Sequence, residues 1–197
     1  MSRRTDHSSL PDKPLGAGLL IVTGASHTGK SSVIRALVPQ LPPPVAVLAV
    51  DDILDHTLVR PHGDRWEGIP LSYELIRRQA SALLDQGWLV IVESTFTYVP
   101  SQGAATFHHD ALDLLISLAK SREAPWVLCQ VQAPPESTLE RGRESSRLGS
   151  DVIAETIRLH EEFEPPAGAL SLSTAEQLPE AAALTLFGRL PASFTRT

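Results

Sequence analysis

Residues 24–31 read GASHTGKS, which is the G-x-x-x-x-G-K-[ST] spacing of a phosphate-binding loop. Glycines let backbone N–H groups surround phosphate oxygens, and a helix that begins at the lysine directs its positive end toward the same anion. We expect Lys30 to reach the β- and γ-phosphates of a nucleotide and Ser31 to bind Mg²⁺. The nucleotide-binding residues predicted from this motif are Gly24, Ala25, Ser26, His27, Thr28, Gly29, Lys30, Ser31 and Ser32.

Two carboxylates follow apolar runs that have the composition of buried strands. Asp51 closes VAVLAV (45–50), and Glu93 closes WLVIVE (88–93). Because the carboxyl ends of parallel strands meet at one edge of a sheet, both carboxylates are expected beside the phosphate loop. Asp51 is predicted to be the general base, or to orient an acceptor hydroxyl, although it could instead cap the next helix, a role that suits Asp52 better. Glu93 is predicted to hold Mg²⁺ through water or to contact substrate, with a solvated strand end as the alternative.

A charged segment, PESTLERGRESSR (135–147), predicts a helix with an arginine-bearing lid. We expect Arg141 and Arg147 to neutralise the phosphoryl group in transfer and Arg143 to lie against adenine. The alternative is that these arginines form a solvated helix face.

The aperiodic segment 57–70 is where substrate choice is expected to lie. Arg60 and Trp66 belong to it, and Phe96 and Tyr98 come just after the third apolar run. With Asp51 and Glu93, these side chains are predicted to form the substrate pocket, walled by aromatic rings. His108 and His109 lack the spacing of metal ligands and are expected at the surface.

Five apolar runs alternate with helical patterns along the chain. The runs at 18–23, 45–50, 88–93, 126–131 and 169–173 predict strands that are buried on both faces, which is typical of a parallel sheet covered by helices. Helices are expected from Lys30 to Pro39, from Ser72 to Gln86, over 108–120, 135–147 and 151–162, and from a capping box at Thr174 to Leu190. The predicted fold is α/β: a three-layer P-loop NTPase of the nucleoside-kinase type, with a five-stranded parallel sheet and a small helical lid.

Composition excludes several classes of protein. A net charge of −6 and a pI near 5.6 argue against a nucleic-acid partner, and the single Cys129 excludes an internal disulfide. No apolar stretch approaches the roughly 20 residues that span a bilayer. Residues 1–15 are predicted to be a disordered leader and 16–197 a single domain in the reducing cytoplasm. The sequence gives no indication of the oligomeric state.

The missing guanine-reading motif, Asn-Lys-x-Asp, and the short chain favour a kinase over a GTPase or a motor. We therefore expect transfer of the γ-phosphate of ATP to a hydroxyl of a small molecule, with ATP and Mg²⁺ as cofactors. Two alternatives remain open. One is a kinase that acts on a nucleotide, a nucleotide-sugar or a polynucleotide end, and the other is an ATP-binding regulator without kinase activity.

Three segments carry a family resemblance: GASHTGKSSVIRAL, LPPPVAVLAVDDIL, and ERGRESSRLGSD leading to HEEFEPP. They resemble chloramphenicol phosphotransferase and the wider set of zeta-toxin-like small P-loop kinases. The resemblance implies ATP-dependent O-phosphorylation of a small molecule, with antibiotics among the acceptors, and Asp51 as the base. Glu93 departs from the wider set, where an aspartate is common at that place.

Overall fold

The computed structural model describes residues 17–58, 65–100, 104–145, 148–175 and 177–195, without the side chains of Arg65 and Trp66. The predicted leader therefore lies outside the described residues. The strands are β1 Gly18–Thr23, β2 Val45–Ala49, β3 Leu89–Glu93, β4 Thr97–Tyr98, β5 Thr106–Phe107, β6 Trp126–Gln132 and β7 Leu170–Ser173. Five of them form a parallel sheet in the order β2-β3-β1-β6-β7, which confirms the predicted parallel sheet.

Helices cover both faces of this sheet. They are α1 Lys30–Leu37, α2 Val50–Asp52, α3 Ile69–Asp85, α4 His109–Ser121, α5 Pro135–Ser145, α6 Ser150–Glu162, α7 Pro179–Arg189 and α8 Ala192–Thr195. A π-helical turn, Ile53–Thr57, continues α2, and 3₁₀ turns occur at Val38–Gln40 and Arg65–Gly68. None of the helices in these described ranges is both long and apolar enough to cross a bilayer.

The alternation of side chains along β1 explains the three layers. Leu19 and Ile21 pack with α3 and α4 on one face, whereas Leu20 and Val22 pack with α1 and α7 on the other. All four are fully buried. Successive strand residues point to opposite faces, so a run that is apolar throughout requires a helical layer on each side. Cys129 lies in the same core, as expected.

Several element ends differ from the prediction because tertiary contacts override local signals. Helix α3 begins at Ile69 with a proline in its first turn, so Ser72 lies inside the helix and donates to the Ile69 carbonyl. The predicted capping box at Thr174 is wrong. Helix α7 begins at Pro179, and the Thr174 hydroxyl instead donates to the Thr28 carbonyl of the phosphate loop.

The β4–β5 hairpin and helix α8 were not predicted. The hairpin places His108 at the start of α4, where the ring is partly buried against Tyr73 and burial lowers its pKa. The expectation that His108 lies at the surface is therefore wrong, whereas His109 is exposed as predicted.

Phe194 ties the end of the described chain to the start of the sheet. Its ring is 1% exposed and lies against the Gly18 backbone at the beginning of β1. Phe194→Ala should lower the free energy of unfolding by about 3–5 kcal/mol, because it leaves a cavity in the core. Urea denaturation followed by circular dichroism measures this. Leu184→Ala, whose side chain is 62% exposed on α7, is the control and should change stability by less than about 0.5 kcal/mol. Equal stability of the two variants would show that residues after α7 are no part of the domain.

Candidate active site

A cavity of about 340 Å³ opens at the carboxyl edge of the parallel sheet. Its wall is formed by the phosphate loop with the start of α1, the end of β2 with α2 and the turn after it, the start of α3, the end of β3 with the segment that follows it, α5, and Leu148. Lys30, Asp51, Glu93 and Arg141 all contribute to its wall. The strand ends therefore bring together residues that are up to 111 positions apart, at the edge where ligands bind in folds of this type.

Backbone geometry shapes the phosphate loop. Gly24 has φ +147°, and a Cβ there would overlap the Val131 carbonyl oxygen of β6. Gly29, with φ +94°, precedes the first turn of α1, and His27 also has a positive φ, +64°. The loop therefore needs glycine at Gly24 for space and at Gly29 for conformation. As predicted, the motif lies between a buried strand and a helix, which is the arrangement that lets N–H groups face an anion.

Lys30 is buried inside the loop. Its Nζ donates to the carbonyls of Gly24 (3.0 Å) and Ala25 (2.8 Å) and lines the cavity. Burial lowers its pKa, while the nearby carboxylates of Glu93 and Asp51 act in the opposite direction. The ammonium is thus fixed in position by backbone carbonyls, and two carboxylates are close enough for their charges to act on it.

Two threonines from distant elements hold the loop. Thr156 of α6 accepts a hydrogen bond from the Ser26 backbone N–H (3.3 Å), and Thr174 donates to the Thr28 carbonyl (2.7 Å). Arg141 donates to the Thr174 carbonyl (3.3 Å). Neither contact with the loop was predicted, because the partners lie 130 and 146 positions away in the sequence.

Ser31 and Glu93 form the candidate metal-binding pair. The Ser31 hydroxyl donates to Glu93 Oε1 at 2.6 Å. Burial raises the pKa of Glu93, opposed by the charge of Lys30 and the bond from Ser31. A hydroxyl and a carboxylate are oxygen ligands that suit Mg²⁺, which commonly takes one or two protein ligands and completes its shell with phosphates and water. The described residues contain no group of three or more His, Cys, Asp or Glu that could hold a metal.

Asp51 lies in the first turn of α2, two residues beyond the end of β2, and lines the cavity. The alternative role as helix cap does not hold, because Ala49 occupies the N-cap position and no side chain caps the helix there. The charge of Asp51 acts on both Lys30 and Glu93. Its neighbour Asp52 is not among the residues lining the cavity.

Of the three arginines predicted to form a lid, the structure describes two, and only one of those two lines the cavity. Arg141 lines the cavity, with its guanidinium near Gly29. Arg143 is exposed on α5 and is not among the described residues that line the cavity, and its contact with adenine stays a prediction. Arg147 lies outside the described residues. Gly142 packs tightly against Ile153 and the His27 ring, which explains why α5 runs close to the loop.

The predicted aromatic wall is wrong where the structure describes it. Phe96 is fully buried and stacks on Tyr73 with ring centroids 5.4 Å apart. Its φ of +51° and the bond from its N–H to Ser94 Oγ turn the ring into the core. Tyr98 is half-buried in β4 beside His108 and does not line the cavity. Of the remaining substrate candidates, Arg60 and the side chain of Trp66 lie outside the described residues.

Hydroxyl groups occupy the place expected for those rings. Ser94, Thr95 and Thr97 line the cavity after β3, as do Leu54 and Ile69. The composition STFT directly after a strand end was the available signal. We name the segment 94–97 the acceptor loop.

His160 at the end of α6 supports this acceptor loop from behind. The His160 Nε2 lies 2.8 Å from the Thr95 carbonyl oxygen. The Gln130 side chain donates a hydrogen bond to the main-chain carbonyl of His160. Burial lowers the pKa of His160 to about 3, and the positive charge of Lys30 acts in the same direction. The ring is therefore neutral near pH 7, and its Nε2–H donates to Thr95.

The match to a protein-family model covers residues 19–166 and describes an AAA domain. The chain belongs to this AAA domain family. The chain also superposes on solved structures of other proteins. The APS kinase CysC of Mycobacterium tuberculosis, solved with AMPPNP and APS, matches with a TM-score of 0.60 and 18% identity, over 89% of this chain and 98% of that one. The tunicamycin resistance protein of Deinococcus radiodurans matches with a TM-score of 0.57 and 16% identity, over 92% and 99%. No curated protein matches at a significant level.

At these identities the superpositions show the fold alone, and that fold is a P-loop kinase-like α/β fold. The predicted fold class is confirmed. The narrower resemblance to chloramphenicol phosphotransferase and zeta toxins is not confirmed by these matches and stays a prediction.

The buried neutral His160 predicts a pH dependence of stability. The unfolded chain takes up a proton near the ordinary pKa of 6.5, whereas the folded chain does so only near 3. The free energy of unfolding should therefore fall as the pH drops from 6.5 toward 3, by up to about 1.4 kcal/mol per pH unit. Urea unfolding at several pH values between 7 and 4, for wild type and His160→Gln, measures this loss. The variant should show a shallower slope, and parallel curves would contradict the assignment.

Proposed function

We propose that this AAA domain is a kinase that transfers the γ-phosphoryl group of ATP to a hydroxyl of a small molecule. The observation that carries the proposal is that Lys30 of the phosphate loop and Asp51 of α2 line one cavity. Nucleotide binding without transfer would require Lys30 but not Asp51. A carboxylate on the wall of the same cavity supplies the proton acceptor that transfer to a hydroxyl needs in addition.

The nucleotide side is supported by the loop. Its glycine conformations, the helix start at Lys30 and the buried ammonium fit a polyphosphate. The APS kinase of similar fold is described with AMPPNP, which supports a nucleotide at this place by analogy of fold. We infer ATP rather than GTP from the missing guanine motif, and we expect the reaction in the cytoplasm, where ATP is abundant.

The acceptor hydroxyl would lie between Asp51 and the γ-phosphorus. Asp51 accepts the hydroxyl proton, the acceptor oxygen forms a bond to the γ-phosphorus, and the bond from that phosphorus to the β–γ bridging oxygen breaks, releasing ADP. Lys30 and Arg141 stabilise the charge that develops on the transferred group, because both are fixed in place by backbone carbonyls.

Ser31 and Glu93 are the residues that would hold Mg²⁺, which would neutralise phosphate charge when bound. The Ser31–Glu93 bond holds these two side chains together on the cavity wall. An antibiotic is one acceptor that this proposal includes, and the fold shared with a tunicamycin resistance protein supports that role at the level of architecture.

Asp51→Asn decides between a kinase and an ATP-binding regulator. The variant should lose about 10²- to 10⁴-fold in the rate of phosphoryl transfer, since it cannot accept the proton, while its affinity for ATP stays within about twofold. Label transfer from γ-labelled ATP and calorimetric titration with ATP measure the two quantities.

Asp52→Asn is the matched control, because Asp52 belongs to the same helix turn but does not line the cavity. It should keep near wild-type transfer. If Asp51→Asn and Asp52→Asn transfer phosphate equally well, the base is not Asp51, and if neither variant nor wild type labels any acceptor, the regulator hypothesis gains support.

A further inference from the structure

One peptide unit of the acceptor loop is held by side chains at both of its polar groups. This unit joins Thr95 to Phe96. Its carbonyl oxygen lies 2.8 Å from His160 Nε2, and its N–H donates to Ser94 Oγ at 2.9 Å. Ser94 Oγ is in turn 3.0 Å from the hydroxyl of Tyr73 in α3. Side chains of both α6 and α3 thus take part in fixing this peptide unit.

The backbone conformation that these bonds hold is one that a phenylalanine rarely adopts. Phe96 has a φ of +51°, in the left-handed region that is unfavourable for bulky residues. Rotation of the Thr95–Phe96 peptide unit would return φ to a negative value, but it would break the hydrogen bonds at both ends of the unit. Such a conformation persists only where its surroundings enforce it, so the bond from His160 stabilises it.

The orientation of this peptide unit affects the cavity wall. Ser94, Thr95 and Thr97 line the cavity. Thr95 Oγ1 accepts hydrogen bonds from the Thr97 N–H (3.3 Å) and from the Thr97 hydroxyl (2.9 Å). Because the two threonines are bonded to each other, a change at the Thr95 carbonyl would displace both of their hydroxyl groups.

His160 is a donor whose position is fixed by its own neighbours. It is 7% exposed, and Gln130 of β6 donates to its main-chain carbonyl at 3.2 Å. The rings of Phe107 and Phe163 lie edge-on to its ring, with centroids 5.5 and 6.3 Å away. Its Nδ1 has no hydrogen-bond partner among the residues that the structure describes, and the Thr95 carbonyl can only accept. The proton of the neutral ring is therefore on Nε2.

We propose that His160 is a positioning residue for the acceptor: by holding the Thr95 carbonyl, it places the hydroxyl groups of the acceptor loop where they contact the acceptor molecule. This proposal rests on the proposed kinase function. His160 is not among the described residues that line the cavity, so it acts through Thr95 and Thr97. Loss of its N–H should weaken acceptor binding and leave ATP binding, which depends on the phosphate loop, unchanged.

Two substitutions at His160 test this role. His160→Leu removes the donor and keeps a side chain of similar size, whereas His160→Gln keeps an N–H donor at similar reach. The whole protein with Mg²⁺ and γ-labelled ATP is first screened against glucose, uridine, uridine 5′-phosphate, hydroxyl-bearing antibiotics and a small-molecule cell extract. The compound that takes up most label, purified from the extract where necessary, then serves as the acceptor.

His160→Leu should raise the KM for that acceptor by about 3- to 10-fold, with the KM for ATP within about twofold of wild type. His160→Gln should restore the acceptor KM to near the wild-type value. A mere loss of stability is separable from this effect, since a smaller folded fraction lowers the apparent kcat and changes neither KM.

Thr156→Val is the matched comparison on the same helix. Thr156 bonds to the Ser26 N–H of the phosphate loop rather than to the acceptor loop. Its loss should therefore raise the KM for ATP by about threefold and leave the KM for the acceptor within about twofold. A rise in both KM values alike in His160→Leu overturns the proposal while leaving the kinase function intact.

Amide hydrogen exchange followed by NMR measures the position of the loop without any acceptor. In His160→Leu the Phe96 amide should exchange about tenfold faster, while the Val33 amide, which donates to the Gly29 carbonyl in α1, keeps its rate. Unchanged exchange at Phe96, or faster exchange with an unchanged acceptor KM, overturns the positioning role. If the wild type binds ATP but labels neither a compound nor the extract, the proposed kinase function itself fails, and the positioning role falls with it.

Discussion

The close approach of the Gly24 backbone to the Val131 carbonyl determines where the chain can leave the central strand. Only a residue without a Cβ fits there, so the loop turns sharply over the carboxyl end of β6 and delivers Lys30 to the start of α1. The packing of β1 between β3 and β6 keeps that turn at the middle of the sheet. The neighbouring strand β3 then ends beside it, and Glu93 meets Ser31 without any loop having to reach across.

Around this turn the protein assembles opposite charges before a ligand is present. The Lys30 ammonium is desolvated, and so is the Glu93 carboxylate, which on its own would be unfavourable. Each of these two charges lowers the free-energy cost of burying the other. Asp51, which is exposed, adds a second negative charge. Because these groups are held by backbone carbonyls and a hydroxyl, little reorganisation is needed when phosphates enter.

The features that were predictable from sequence are those that depend on neighbours in the chain. The phosphate motif, the buried strands and the positions of Asp51 and Glu93 follow from local pattern and from the rule that parallel strands share a carboxyl edge. The direction of Phe96 was not predictable, because a single backbone angle of +51° turns its ring from the cavity into the core. The roles of Thr156 and His160 depend on contacts 130 and 65 positions away, for which a single sequence carries no signal.

Thr156 and His160 are four residues apart, so they project from the same face of α6. Thr156 contacts the phosphate loop and His160 contacts the acceptor loop, so this helix connects the two loops. His160 bonds to the acceptor loop through a main-chain carbonyl, so substitutions of the side chains along this loop would leave that contact unchanged. Under the proposed kinase function, exchange of a few side chains in this loop would change the acceptor, while the distance between the two loops would stay the same.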